Sequence, residues 1–372
     1  MGDRPQESEE IRMSRKSFTA LFITLLIFSS LAIAQTSGTW TLTGQMVNSE
    51  QNATATLLQN GKVLVSGGDL GALTLAINKA QIFDPATNSW TAAPNMKAFR
   101  MGHSGTLLPN GKVLIAGGIN YVSPNYVVLK STELYDPGTN TFTAAPPMVN
   151  PRQAHTATLL PNGKILVIGG MSAYIPRLAY LICTATAEIY DPATSTWSSA
   201  GSMSVPRCGH TATLLPNGKI LVAGGAYYRT YFNSAEIYDP VTNRWSATGS
   251  MFRTRYGHSA ALLQNGKVLV TGIDPSTEIY NPSTGTWSMT ASSSAYHSYV
   301  PLVTLINGKV LAAGGNSAGT SELYDPFLNR WIVTGTLNHP QRINFPVTLL
   351  SNGKVLVSGG AYDWWTGEVY TP

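Results

Sequence analysis

After residue 50 the chain repeats one pattern of apolar and polar positions. An Asn-Gly-Lys triplet begins at Asn60, Asn110, Asn162, Asn217, Asn265, Asn307 and Asn352. Each lies between two short apolar runs, as in His155-Thr-Ala-Thr-Leu-Leu-Pro-Asn-Gly-Lys-Ile-Leu-Val-Ile-Gly-Gly170. Runs of this length and β-rich composition, split by Asn-Gly, predict two strands joined by a tight hairpin. The expected turn is type I′, in which both turn residues take positive φ. The second run ends in paired glycines in six copies: Gly67-Gly68, Gly117-Gly118, Gly169-Gly170, Gly224-Gly225, Gly314-Gly315 and Gly359-Gly360. The fifth copy keeps only Gly272. Paired glycines let the backbone bend and pack where a Cβ would collide.

A third strand follows in every copy. It reads Glu-Ile-Tyr-Asp-Pro at 188–192 and 236–240, with close variants ending at Pro85, Pro137, Pro282, Pro326 and Pro372. Proline ends the strand because it has no donor for the ladder. A fourth strand carries Trp90, Phe142, Trp197, Trp245, Trp287 or Trp331. We label the four a, b, c and d. Their order and landmarks resemble the kelch motif over residues 40–372. The resemblance implies an all-β, seven-bladed kelch-type β-propeller of the galactose oxidase-like central domain superfamily, with four antiparallel strands per blade. Trp40 stands on a d strand with nothing before it, and residues 368–372 form a c strand with nothing after it. The N-terminal strand should therefore be the outer strand of the last blade and close the ring, which removes an exposed sheet edge.

Strand order assigns the loops to two faces. The a–b and c–d turns share a bottom face, uniform among the copies, where Lys62, Lys112, Lys164, Lys219, Lys267, Lys309 and Lys354 stand among carboxylates. The d–a and b–c loops share the top, where length and sequence vary. Irregular loops on a rigid repeat are where binding sites sit. The candidate ligand-binding residues there are Tyr121, Tyr174, Arg177, Tyr227, Tyr228, Arg229, Tyr231, Tyr362, Trp364 and Trp365, aromatic bodies with arginine beside them. Such a surface fits sugar or peptide stacking. The competing reading is that the rings pack on one another to hold long loops down. Blade five has almost no b–c loop, which leaves a notch in the rim.

The d–a loops also repeat. Arg100/His103, Arg152/His155, Arg207/His210 and Arg255/His258 hold equivalent places, matched by Arg342/Phe345, His297/Val300 and Glu50/Ala53. One reading makes Glu50, Arg100, Arg152, Arg207, Arg255, His297 and Arg342 a ring at the pore mouth. The other pairs each with the Glu of strand c in its own blade. The second is favoured by covariation: where Glu50 replaces arginine, the strand-c glutamate becomes Gln81. Metal binding by the histidines is not expected, because ligands about 2 Å from one ion cannot come from positions spread around a pore. Glu50, Asp69, Asp274 and Asp363 are carboxylates outside the repeat on the top, and no familiar catalytic motif appears.

Composition narrows the class. Charged residues make up 12% and the net charge is +5, spread along the chain, so nucleic-acid binding is not expected. Arg12, Arg15 and Lys16 precede an apolar run from Phe18 to Ala34 ending in Ala32-Ile33-Ala34. This reads as a signal peptide over 1–34, cleaved before Gln35, with Met13 as a possible true start; an uncleaved anchor is the alternative. A secreted or periplasmic monomer, free of the membrane after cleavage, follows. Cys183 and Cys208 could then form one bridge if their Cα atoms lie within about 7 Å. The leading functional reading is a binding module for a glycan or an extended protein segment, without a cofactor. Kelch propellers also include mutarotases acting on sialic acid, for which Arg100, Arg342, Glu50 and Asp363 are candidate groups, and copper-radical sugar oxidases. A structural envelope protein is the third class.

Overall fold

The computed structural model describes residues 38–71, 75–122, 125–175, 180–297, 299–360 and 365–372. The signal segment, Arg177, Tyr362, Asp363 and Trp364 lie outside them. Among the described residues seven four-stranded antiparallel sheets form, all with neighbours in the order a-b-c-d. Blade three shows the unit: Thr156–Leu159, Ile165–Ile168, Thr186–Asp191 and Thr196–Ser202. Strands a touch from blade to blade in sequence, and the last touches the first, so the sheets form a closed ring around a channel. The fold is the seven-bladed propeller.

Closure occurs as the sequence predicts. Thr39–Gln45 pairs with Thr366–Thr371 as the outer strand of blade seven, with Trp40 opposite Tyr370. Their rings lie 5.1 Å apart. The same strand-c to strand-d contact recurs in every blade, from Phe83–Trp90 at 4.9 Å to Tyr324–Trp331 at 5.3 Å. Strand b is buried along its whole length in each blade, because blades cover both of its faces. The core therefore lies between blades: Leu58, Leu64 and Met96 pack with Val113, Ile115, Tyr135 and Phe142 across the first interface.

The a–b hairpin differs from the expected type I′ turn. Of Asn60-Gly61 only Gly61 is left-handed, at φ +81°. Gly61 N donates to Leu58 O at 3.0 Å and Leu58 N to Lys62 O at 2.8 Å, a type I turn closed by a glycine bulge. The cause is the asparagine side chain: Asn60 Oδ1 accepts from Lys62 N at 3.1 Å, which ties it into the turn. On the bottom face five lysines pair with the Asp before the strand-c proline, as Lys62 with Asp84 at 3.0 Å. These exposed pairs contribute little to stability.

Candidate functional site

The d–a loop delivers four consecutive residues to the top of each blade, and each position has its own task. The first is buried inside the blade. Arg100, Arg152, Arg207, Arg255 and Arg342 pair with Glu133, Glu188, Glu236, Glu278 and Glu368 at 2.8–3.2 Å, and His297 pairs with Glu322 at 2.9 Å. Arg152 also donates to Gly169 O and Thr186 O, both at 2.8 Å, while Glu188 accepts from Val149 N and Asn150 N. A buried guanidinium needs this many acceptors to offset its desolvation. None of these first-position residues lines the central channel.

The fourth position stitches blades together. Nε2 of His103, His155, His210 and His258 lies 2.9–3.1 Å from the hydroxyl of Thr54, Ser104, Thr156 and Thr211 in the preceding blade. The ring sits where the preceding blade's first paired glycine lacks a Cβ: one built on Gly67 would lie 2.5 Å from His103 Cε1. Burial, followed by the neighbouring Arg152 guanidinium, pulls His155 down to about 3. His210 and His258 are likewise at about 3, and His103 is well below its usual value. These imidazoles are neutral at any physiological pH.

The third position forms a collar around the channel mouth. Asn52, Gly102, Ala154, Gly209, Gly257, Tyr299 and Asn344 are all left-handed, with φ between 49° and 61°. Their main chains bond around the ring: Asn52 N to Asn344 O, Gly102 N to Asn52 O, Ala154 N to Gly102 O, Gly257 N to Gly209 O and Tyr299 N to Gly257 O, at 2.9–3.2 Å. Glycine and asparagine take this conformation at low cost, whereas a tyrosine rarely does. Ala154 and Tyr299 are the two exceptions, and Tyr299 is the one with a large side chain. Comparing only the first and fourth positions of the quartets passes over it; the third position carries the signal.

Two cavities meet at this residue. The channel mouth, about 560 Å³, is lined by the collar, the four histidines and the first residues of the a strands. A groove of about 650 Å³ runs outward between blades six and seven, lined by Tyr296, Tyr299, Asn316, Ser317, Gln341 and Asn344, with Gly315 and Ile343. Tyr299 and Asn344 belong to both. Among the described lining residues none carries a formal charge at neutral pH.

The aromatic candidates divide. Tyr121, Tyr126 and Tyr174 stack in series at 4.3 and 4.7 Å. Tyr126, Tyr174 and Tyr227 pack on an apolar cluster of Ile119, Met171, Cys183 and Cys208. Cys183 and Cys208 form a disulfide with Cα atoms 5.6 Å apart, tying the top hairpin of blade three to the d–a loop of blade four. Tyr228 and Tyr231 are 67% and 58% exposed, and Trp365 is 48% exposed. Arg229 lies 5.8 Å from the Tyr228 ring. None of the described candidates lines the groove, but Tyr231 leads to it: its ring is 5.9 Å from Tyr256, which is 6.3 Å edge-on from Tyr299.

The described top carboxylates are engaged locally. Asp69 is buried and accepts from Gln51 Nε2 and Asn52 Nδ2, both at 2.7 Å. Asp274 accepts from Ser276 N at 2.8 Å. Glu50 is buried against Gln81, and burial raises it to about 8 against the lowering effect of that hydrogen bond.

The description "KLHDC2/KLHL20/DRC7 Kelch-repeats domain" matches residues 102–315, and "Kelch motif" matches residues 54–97. The chain belongs to the kelch-repeat family. No curated protein matches it in sequence. Among solved structures this kelch propeller is similar to a "novel fungal alcohol oxidase with catalytic diversity among the AA5 family, in complex with copper". That likeness is at 19% identity and TM-score 0.71, over 90% of this chain and 76% of the oxidase. It is also similar to YjhT, at 17% identity and TM-score 0.60, over 78% of this chain and 99% of that one. At these identities the likeness is one of fold.

The residues present do not fit copper. Copper needs several nitrogen, oxygen or sulfur donors on one ion. Here the Cys208 sulfur is held in a disulfide, and the collar histidines each turn Nε2 to a different neighbour's hydroxyl. Among the described residues no three of His, Cys, Asp or Glu converge.

Proposed function

We propose that this kelch propeller is an exported binding module that takes a glycan or an extended protein segment on the top face, where the channel mouth opens into the groove of blades six and seven. The observation that carries this reading is the sharing of Tyr299 and Asn344 by the two cavities. A continuous concave surface with polar groups and exposed rings is the usual form of a ligand site. The b–c loops of blades five and six are short, so the rim is low on that side.

Export is supported by the Arg12–Ala34 pattern and by the disulfide, since bridges persist in oxidising compartments. A sugar-modifying enzyme finds less support. Arg100 and Arg342, the arginines that would take a sugar carboxylate, are both committed to buried ion pairs.

The test is a paired screen of the purified full chain on a glycan array and on a peptide array. Binding to either, competed by mutation of the groove, supports the reading. Silence on both arrays overturns it. Mass spectrometry of the exported chain should find Gln35 at the N-terminus, and retention of residues 1–34 would overturn cleavage.

A further inference from the structure

Resting on that reading, we infer that the ligand is a neutral oligosaccharide, laid along a tyrosine shelf from Tyr231 over Tyr256 to Tyr299 and received by the groove of blades six and seven. Three independent features of the rim lead to this ligand class.

The first is that the shelf is built. A Cβ on Gly209 would lie 2.4 Å from Tyr256 Cε2, and one on Gly257 would lie 2.2 Å from Tyr299 Cε1. Each tyrosine ring therefore lies over a collar glycine of the preceding blade, in space that only glycine leaves open. Tyr299 fills a collar position whose left-handed backbone, φ +55°, is unfavourable for so large a side chain. Strain of this kind persists where the surroundings over-determine it, and it concentrates at functional sites. Tyr231, Tyr296 and Tyr299 stay accessible, at 58%, 42% and 49% exposed, while Tyr256 between Tyr231 and Tyr299 is half-buried. Large exposed aromatic faces bury much area with few rotors to freeze, and they suit the apolar face of a pyranose ring.

The second is the kind of polar group on offer. The groove presents Ser317, Gln341 and Asn344, a hydroxyl and two amides, beside the two tyrosines, while Asn316 in its wall is buried and spends its amide on the main chain of Gly314, Ala318 and Thr320. Amides both donate and accept, which matches the mixed donor and acceptor character of sugar hydroxyls. An extended peptide added as a strand, by contrast, needs unpaired main chain to pair with. Five of the collar's N–H groups and their acceptor carbonyls are used in the blade-to-blade belt, which leaves less main chain for a peptide strand to pair with.

The third is charge. A carboxylated or sulfated sugar calls for arginine or lysine. Among the described residues neither cavity is lined by one, and Arg207, Arg255 and Arg342 nearby are buried against glutamates. The groove therefore suits neutral sugar units, with Arg229, beside the Tyr228 ring, an exposed cation at the Tyr231 end of the shelf.

The experiment is an array carrying neutral oligosaccharides, uronate and sulfated oligosaccharides, and peptides, read with the full chain and with Y299G and Y296A variants. The tightest neutral oligosaccharide is then titrated by calorimetry. Y299G removes the ring while relieving the left-handed strain, so its melting temperature should hold or rise; this separates loss of a contact from loss of fold. We expect neutral oligosaccharides to bind and each variant to weaken that binding about tenfold or more. Neutral-sugar binding unchanged in Y299G and Y296A overturns the groove assignment while leaving a glycan-binding module. Preference for acidic sugars or for peptides overturns the ligand class while leaving a binding module. No binding to any array overturns both.

Discussion

Gln81 donates through Nε2 to Glu50 Oε1 at 2.5 Å, reversing the direction in which the arginine blades run the same contact. In those blades the d–a loop gives the donor and strand c the acceptor. In blade one the loop gives a carboxyl and strand c an amide. Gln81 still does half of the glutamate's work, since its Oε1 accepts from Val47 N at 2.8 Å and Asn48 N at 3.3 Å, as Glu133 accepts from Lys97 N and Ala98 N. With no guanidinium opposite, burial holds Glu50 protonated up to about pH 8.

That exchange gives a pH dependence with a definite sign. Glu50 rises from an ordinary 4.5 to about 8 on folding, so the native state holds a proton that the unfolded chain has lost. Its stabilisation is complete below 4.5 and is lost as pH rises to about 8. His155, His210 and His258 act oppositely, but only below their ordinary 6.5. From 6.5 to 8 the Glu50 effect stands apart. Urea unfolding across that window should show stability falling with pH in the natural chain and nearly flat in E50Q. Equal slopes would show that Glu50 does not titrate there. In the same assay E50R should destabilise, and E50R with Q81E should recover most of the loss by restoring the arginine–glutamate pattern.

Arg152 tests whether the first quartet position is scaffold. Arg152→Ala leaves Glu188 buried with its amide donors and no cation, a loss of about 3–5 kcal/mol. Trp365 belongs to no core cluster and is 48% exposed, so Trp365→Ala should shift the melting temperature little. Thermal melts of the two variants should therefore separate widely. A stable Arg152→Ala chain that no longer binds ligand would move the arginines from scaffold to site.

The repeat made the fold legible before any coordinates. Seven copies of one unit disclose strand order, blade count and closure, because every blade obeys the same packing rules. Covariation of Glu50 with Gln81 also disclosed the buried pairing. The groove was hidden for the opposite reason. Tyr299 is the one large side chain at collar positions otherwise held by glycine, asparagine and alanine, and its importance comes from its place over a glycine of the neighbouring blade, which the chain order does not display. The rim aromatics divide between the two readings that the sequence left open: Tyr121 and Tyr174 join Tyr126 in a stack beside a disulfide, while Tyr228, Tyr231 and Trp365 stay exposed. Asn60-Gly61 misled over turn type because the asparagine side chain, not its backbone freedom, decides the geometry.

Ring closure rests on Trp40. It stacks on Tyr370, and its Nε1 donates to Ser321 Oγ of blade six at 3.1 Å. Removing residues 38–45 would expose the edge of blade seven and should lower the melting temperature sharply. A point variant grades the effect. Phe142 fills the equivalent place in blade two, so Trp40→Phe keeps the stack and loses only the hydrogen bond, about 1 kcal/mol. Trp40→Ala should cost about 3–5 kcal/mol. An unchanged melting temperature in Trp40→Ala would show that the ring does not depend on this strand.

The disulfide joins two blades at the top, not two parts of one blade, so its loss should be felt unevenly. Cys183 ends the top hairpin of blade three, and Cys208 stands next to Arg207 and two residues before His210 in the quartet of blade four. Both sulfurs lie in the small apolar cluster with Ile119 and Met171, above the main cores. A bridge spanning 25 residues should stabilise by about 3 kcal/mol if loop entropy were the whole effect. The ring is closed independently, however, so the loss should appear first as opening of the rim. In the C183S/C208S variant, hydrogen exchange should quicken in strands Met171–Ile175 and Tyr180–Cys183 while strand Ile165–Ile168 beneath them stays protected. Alkylation before reduction should label no cysteine in the exported protein, and after reduction it should label both. Two reactive thiols without reductant would show that the bridge does not form.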